Sequence, residues 1–463
     1  MRKASKSNKT KISCSFRDPS GFVFLDRNIL YRQINFSYKD HYDYLINSGL
    51  YDLLVKQELL ISHTERGLNQ KLSSDAYKVI QPEFIPFISY PYEWCFSQLK
   101  DAALAILIIQ KHALGFGMTL KDASAYNIQF LNGKPILIDT LSFEIYTEGR
   151  PWIAYKQFCQ HFLAPLALMS YRNAHLSKLS QIYIDGIPLN LASSLLGWRS
   201  FLHPALYAHI NLQANMQSLF KKTARHHSSY HLSKKRLMGL LDNLLSVVSS
   251  LQWKSRDAEW ENYYEKTNYS AEAFEDKKKI IGFFLDKLQP VMVWDLGANT
   301  GVFSRIASVK GAETISFDID PAAVEKSYIE VKKHQEKNIL PLVLDITNPS
   351  HAIGWANKEI SSLQERGPAQ AIFVLAMIHH LVITNSIPFE YIAKFLGQVG
   401  TFLVIEFIHP EDSQVQRMIS LSVKVFPGYT QEGFESAFRR YFSILDVKTI
   451  KDSKRVLYLM KKI

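Results

Sequence analysis

Residues 291–304 read VMVWDLGANTGVFS. An apolar run ends in Asp295, a turn bearing Gly297 and Gly301 follows, and a helix-compatible apolar stretch begins. A strand–turn–helix of this form presents backbone N–H groups to a ligand at the start of the helix. Gly297 and Gly301 remove the Cβ that would hold off a ligand or the following helix, and Asn299 is the non-glycine type that best tolerates positive φ. The spacing is not GxGxxG, and no GxxxxGK followed by Ser or Thr occurs, so neither the dinucleotide fingerprint nor the P-loop applies.

Working outward from this turn, strand-like runs alternate with helical pattern: VMVWDL, TISFDI, ILPLVLDI, QAIFVLAM and TFLVIEFI. Such alternation predicts a parallel sheet covered by helices on both faces. The last residues, YFSILDVKTIKDSKRVLYLMKKI, read as a terminal β-hairpin. The second strand ends in FDID, where an acidic side chain can accept two bonds from ribose hydroxyls; Asp318 is the first choice and Asp320 the alternative. The third ends in LDIT, placing Asp345 and Ile346 at the same edge. His379 and His380 follow the fourth strand, and Glu406 ends the fifth. All lie on the carboxyl edge, where open α/β sheets bind ligands. An isolated Asp at such a turn also serves as a helix N-cap, so the ordered set carries more weight than any one member.

This pattern resembles the class I S-adenosylmethionine-dependent methyltransferases over residues 257–463. DLGANTG is similar to their first motif, with Asn299 where the common form has glycine. The resemblance implies a Rossmann-like seven-stranded sheet, mostly parallel, closed by an antiparallel terminal hairpin. It implies S-adenosylmethionine as cofactor, held by Asp295, Gly297, Asn299, Gly301, Asp318 or Asp320, Asp345 and Ile346, with no metal in that domain. His379, His380 and Glu406 are the candidates for acceptor-side or general-base roles. The expected activity is methyl transfer to an unidentified acceptor, such as a glycan or small-molecule hydroxyl. No NPPY-type sequence follows the fourth strand, which disfavours amino-directed DNA methylation.

A second stretch, LKDASAYNIQFLNGKPILID at 120–139, has different chemistry. Asp122 and Asn127 are followed by a strand, an Asn132-Gly133 hairpin turn, a second strand and Asp139. In kinases an Asp orients the acceptor hydroxyl while an Asn and a second Asp hold metal. The arrangement resembles the catalytic lobe of kinase-like phosphotransferases, which implies an α+β domain over 13–215 and a Mg-ATP site. LKD stands for HRD and DTL for DFG, no glycine-rich phosphate loop is visible, and Lys78 is the best candidate for the phosphate-reaching lysine. A weakly active kinase, a pseudokinase and a coincidentally similar helical domain remain open. The pairing of the two domains resembles kinase–methyltransferase proteins of surface-polysaccharide synthesis and nodulation-related methyltransferases.

Composition bounds these readings. The 463 residues exceed one ordinary domain. The net charge of +11 equals that of two stretches, residues 1–12 and 216–236, which hold five and six basic residues and no acidic ones. Such stretches are more often solvated tail and linker than reading surfaces. The expected division is a disordered tail 1–12, a kinase-like domain 13–215, a basic linker or helix 216–256 and a methyltransferase domain 257–463. RNA modification, with the basic segments holding nucleic acid, is the alternative and is not favoured. Cys14, Cys95 and Cys159 form neither a CxxC pair nor a disulfide framework, which suits a reducing cytoplasm. No apolar run approaches the ~20 residues of a membrane span, and no signal peptide is expected. Further expectations are helices at about 40–59, 97–114 and 257–288, a mainly helical region from 151 to about 250, and a strand at EFIPFIS, 83–89.

Overall fold

The computed structural model describes residues 9–197, 204–212, 232–254, 270–421 and 428–463. Two compact units are present, the first made of 1–254 with 353–360, the second of 255–352 with 361–463.

The first unit begins with a five-stranded antiparallel sheet: β1 (Thr10–Lys11), β2 (Gly21–Asp26), β3 (Ile29–Asn35), β4 (His63–Arg66) and β5 (Ala76–Pro82), in the order β1-β2-β3-β5-β4. The tail expected to be disordered through residue 12 therefore reaches order earlier. Thr10 and Lys11 pair with Leu25 and Phe24, which satisfies the edge of β2; residues 1–8 lie outside the described residues. The helix expected at 40–59 is two helices, α1 (Lys39–Asn47) and α2 (Leu50–Lys56), because Gly49 takes φ +81° between them. No strand forms at 83–89, where Pro82 precedes the run and Pro86 interrupts it; prolines cannot donate to a ladder. The strand falls instead at β5.

Next comes α3 (Phe96–Gly115), which buries Leu99, Ala102, Ala103, Ile106, Ile109 and Ala113. A helix apolar around most of its circumference belongs inside a core. The hairpin β7 (Ile128–Leu131) and β8 (Lys134–Leu137) turns at Asn132 and Gly133, both with positive φ, while β6 (Met118–Leu120) pairs with β9 (Phe143–Ile145). Short helical segments follow between 155 and 212.

Two boundaries differ from the sequence reading. Residues 216–231 of the expected linker lie outside the described residues. Its remainder is α4 (Lys234–Ser250), packed against α3 through Leu237, Leu241, Leu244 and Val248, whose helical spacing makes a continuous apolar stripe. Residues 353–360 also belong to the first unit: Ile353 bridges Ile360, Ile360 packs against Tyr90 and Tyr92, and Arg17 donates to Glu359 at 2.8 Å.

The second unit is built on α5 (Ala271–Leu288), β10 (Met292–Leu296), α6 (Val302–Val309), β11 (Glu313–Asp318), α7 (Pro321–His334), β12 (Ile339–Val343), β13 (Ala369–Val374), α8 (Phe389–Val399), β14 (Gly400–Ile408), β15 (Phe442–Thr449) and β16 (Arg455–Lys462). The helix expected from 257 starts at the Ser270 cap, whose hydroxyl accepts from Ala273 N; 257–269 lie outside the described residues. Seven strands form one sheet in the order β12-β11-β10-β13-β14-β16-β15. The first five are mutually parallel, and β16 inserts antiparallel between β14 and β15. One face packs Val293, Ala371, Phe373 and Leu457 against Ile281, Phe284 and Leu285 of α5 and Phe303 of α6. On the other, Trp294 meets Phe317 edge to face at 5.7 Å. Burial on both faces is why the strands read as continuous apolar runs. The strand order reverses at β10, opening a crevice at its carboxyl end between β11 and β13.

Candidate functional site

The crevice holds a cavity of about 330 Å³, within the size range of small-molecule sites. Its floor is the turn after β10. Gly297 takes φ +78°, Asn299 +52° and Gly301 +81°. Gly297 N and Ala298 N both donate to Phe317 O at 2.9 Å, which folds the loop over the end of β11. A Cβ at Gly297 would stand 3.0 Å from Met377 Sδ, at the cavity wall. Gly301 serves a different purpose. It lies off the cavity wall, where a Cβ would meet Arg305 Nη1 at 2.9 Å and Ser327 Oγ at 3.0 Å, so it lets α6 start against α7.

Asp295 and Asp318 are both buried and both line the cavity. Asp295 Oδ2 accepts from Ser304 Oγ at 2.6 Å, while its Oδ1 is buried with no hydrogen-bond partner among the described residues. Asp318 Oδ2 accepts from Asn299 N at 2.7 Å and Oδ1 from Asp320 N at 2.9 Å. Burial pushes both carboxyls up to about 6, overcoming the hydrogen bonds that favour the charged form. Between the two candidates at the end of β11, Asp320 is the helix cap: its Oδ1 accepts from Ala322 N at 2.8 Å, and it is not on the cavity wall. Asp345 and Ile346 line the far side, with Asp345 Oδ1 accepting from Thr347 N and Oγ1.

The acceptor-side candidates separate. His380 lines the cavity, with burial holding its imidazole below the usual range and therefore neutral at pH 7. It opens a wide turn, His380–Thr384, that also brings Thr384 and Asn385 to the wall. His379 is buried behind it, ring centroids 4.2 Å apart, and is not on the wall. Glu406 departs from its expected place as a base. It is fully buried off the wall, and its Oε2 accepts from Lys277 Nζ and Ala376 N, each at 2.7 Å. Off the wall and engaged by an ammonium and a backbone N–H, this carboxylate is not within reach of an acceptor's proton.

Lys277 is a charged wall residue that sequence reasoning missed, as it missed Thr384 and Asn385. Its side chain is 2% exposed and its ammonium lies 4.4 Å from the Phe303 ring centre. The available signal was its place on the stripe Ala273, Lys277, Ile281, four residues apart on the apolar face of α5.

In the first unit, Asp122, Asn127 and Asp139 come together, but their groups are engaged. Asp122 Oδ1 accepts from Ser124 N and Gln157 Nε2, and Asn127 Nδ2 donates to Ser142 Oγ at 3.5 Å. Asp139 accepts from Leu141 N and Ser142 Oγ and pairs with Arg32 at 2.5 Å. Lys78 does not fill the expected role. Its ammonium pairs with Glu65 on the adjacent strand at 2.5 Å, and Arg32 of β3 is the cation that reaches Asp139. Among the described residues no group of three or more His, Cys, Asp or Glu could hold a metal ion.

No protein-family model matches the chain. Nodulation protein NoeA of Rhizobium meliloti (strain 1021) is 33% identical over 460 residues, covering 98% of this chain and 96% of that protein. The chain belongs to the NoeA family of nodulation proteins. The match runs through both compact units, so the family shares the first unit as well as the sheet of the second. Solved structures are similar to less of the chain. The PH0226 protein of Pyrococcus horikoshii OT3 is 15% identical with a TM-score of 0.33, covering 44% of this chain and 99% of its own. Magnesium protoporphyrin IX methyltransferase of Synechocystis PCC 6803, solved with bound S-adenosylhomocysteine, is 13% identical with a TM-score of 0.32, covering 44% and 92%. Among the described residues no helix is long and apolar enough to cross a membrane.

Proposed function

We propose that the second unit is an S-adenosylmethionine-dependent methyltransferase domain acting on a small-molecule or glycan hydroxyl. The observation that carries this reading is the buried carboxylate pair at the crevice: Asp318 at the end of β11, and Asp295 at the end of β10, with an oxygen unpartnered among the described residues. The residues fit the cofactor. The left-handed turn at Gly297 leaves a cradle that a Cβ would fill, Asp318 can accept from a ribose diol, and Asp345 with Ile346 can flank an adenine ring. Asp295 Oδ1 can accept from the ammonium of an amino-acid moiety.

When bound, the cofactor supplies an electrophilic methyl group on a sulfonium. The chain's own contribution is placement and proton handling. Apolar Phe303, Phe317 and Leu381 exclude water from the crevice, while Thr384 and Asn385 offer hydrogen bonds to an acceptor. His380, neutral and on the wall, is placed to take the proton of a hydroxyl as the acceptor oxygen is alkylated.

Mg-ATP does not fit the first unit as described, because Arg32 already pairs with Asp139 and Lys78 with Glu65. A cytoplasmic location follows as part of the same proposal, from three cysteines without disulfide spacing. The test is calorimetric titration with S-adenosylhomocysteine. Wild-type protein should bind, and Asp318→Asn should weaken binding at least ~100-fold, because its amide NH2 faces a backbone N–H as well as the ribose. Absence of binding by the wild type would refute the reading. Incubation of labelled S-adenosylmethionine with fractionated cell extract then identifies the acceptor class.

A further inference from the structure

Glu406 and Lys277 form a buried pair beside the crevice, with Lys277 on its wall and Glu406 behind it. The two side chains are 0% and 2% exposed. They join a wider network: Arg455 Nη1 lies 3.5 Å from Glu406 Oε1, and Arg455 Nε 3.3 Å from Asp412 Oδ2. Two cations thus face two carboxylates inside the sheet unit. Replacing such a pair with apolar side chains is often neutral or stabilising, so stability alone gives little reason for it.

The geometry points to another reason. The carboxylate oxygen that takes the Lys277 ammonium also accepts the backbone N–H of Ala376. Ala376 is the second residue beyond β13 and sits at φ +50°, a conformation that disfavours any side chain with a Cβ. Immediately after it, Met377 reaches across to Gly297, and Met377 O accepts from His380 N and Leu381 N to start the turn that carries the acceptor-side wall. The left-handed residue sets the direction in which this segment leaves the sheet.

We infer that Glu406, held by Lys277, is a positioning residue that locks Ala376 in its left-handed conformation and so places Met377 and His380 on the cavity wall. Glu406 supplies the acceptor that makes the strained conformer preferable. Lys277 donates to the same oxygen and fixes it within the sheet unit. The inference rests on the methyl-transfer reading for its ligand and not for its geometry.

The test compares two uncharged replacements of the pair, Lys277→Met/Glu406→Gln and Lys277→Met/Glu406→Leu. Both remove one positive and one negative charge, but only the glutamine retains an oxygen for Ala376 N. Each is measured by thermal melting, by calorimetry with S-adenosylhomocysteine, and by NMR of methyl-13C-methionine protein, which has nine methionines in the wild type and one more in each variant from Lys277→Met; the Met377 signal is assigned by a Met377→Leu control in each background. The glutamine variant should fold, hold the native Met377 resonance and bind within about threefold of wild type. The leucine variant should fold with a shifted Met377 resonance and bind about tenfold more weakly or worse, the equivalent of one lost hydrogen bond. Adding Ala376→Gly to the leucine variant removes the Cβ penalty and should recover part of the binding and of the resonance. Equal binding and unshifted Met377 in both variants would overturn the inference. So would a leucine variant that fails to fold and is not recovered by Ala376→Gly, since the pair would then be a folding element only. If wild type does not bind S-adenosylhomocysteine, the methyl-transfer reading fails, and the Met377 resonances alone still decide the positioning role.

Discussion

Lowering the pH from 7 to 5 should weaken ligand binding while easing a strain within the free protein. Asp295 and Asp318 are buried in the crevice, and each has its carboxyl raised to about 6 by that burial. A carboxyl of that pKa is ~90% ionised at pH 7 and ~10% ionised at pH 5. Accepting from a ribose diol and from an ammonium requires the ionised forms. The affinity for S-adenosylhomocysteine should therefore fall roughly tenfold per carboxylate and ~100-fold if both engage the ligand. At pH 6, where each is half protonated, binding should release about one proton in total. Stability runs the other way. With the folded pKa above the ordinary value of 3.8, each carboxylate destabilises the folded chain above pH 6 by ~3 kcal/mol, and the penalty is relieved as pH falls through 6 towards 3.8. The assay is calorimetry from pH 5 to 7 in two buffers of different ionisation enthalpy, with Asp295→Asn as a control that should halve the proton release. His380 also lines the wall, and burial lowers its pKa, so it takes up its proton at lower pH than a free imidazole. A dissociation constant unchanged between pH 5 and 7, with no proton release at pH 6, would refute the coupling.

Gly301→Ala should lower the melting temperature by the equivalent of ~1–3 kcal/mol, since the position is left-handed and crowded by Arg305 and Ser327; loss of ligand affinity without loss of stability would mean that it faces the cavity. Leu241→Ala should destabilise the first unit by ~2–5 kcal/mol because α4 is packed against α3, whereas a linker would tolerate the change. Asp139→Asn leaves Arg32 without its partner and should destabilise the first unit by ~3 kcal/mol in denaturant unfolding, with S-adenosylhomocysteine affinity unchanged. Strong magnesium-dependent ATP turnover that vanishes in Asp122→Ala would instead make the cluster a working phosphotransfer site.

Local pattern was enough to locate the second unit's sheet. Its strands are buried on both faces and so read as uninterrupted apolar runs, and the turn at 297–301 announces itself because only glycine and asparagine sit easily at positive φ. The Asn132-Gly133 hairpin was legible for the same reason. These are signals within a few residues, and they fix which side chains stand at the carboxyl edge. What an edge carboxylate does there depends on its neighbours. Asp318 and Asp320 are two residues apart in one FDID stretch, yet the first turns into the cavity beneath Asn299 and the second caps α7. Glu406 reads as a strand-end base until Lys277, 129 residues earlier, is found holding it. Arg32 and Asp139 meet only because β3 and the loop after β8 are brought together, which displaced Lys78 from its expected role. The segment 353–360 counts with the first unit although its flanks belong to the second. Periodicity and turn chemistry are properties of neighbouring residues and survive in the sequence, whereas ion pairing and burial are set by residues distant in the chain and were decided by the tertiary structure.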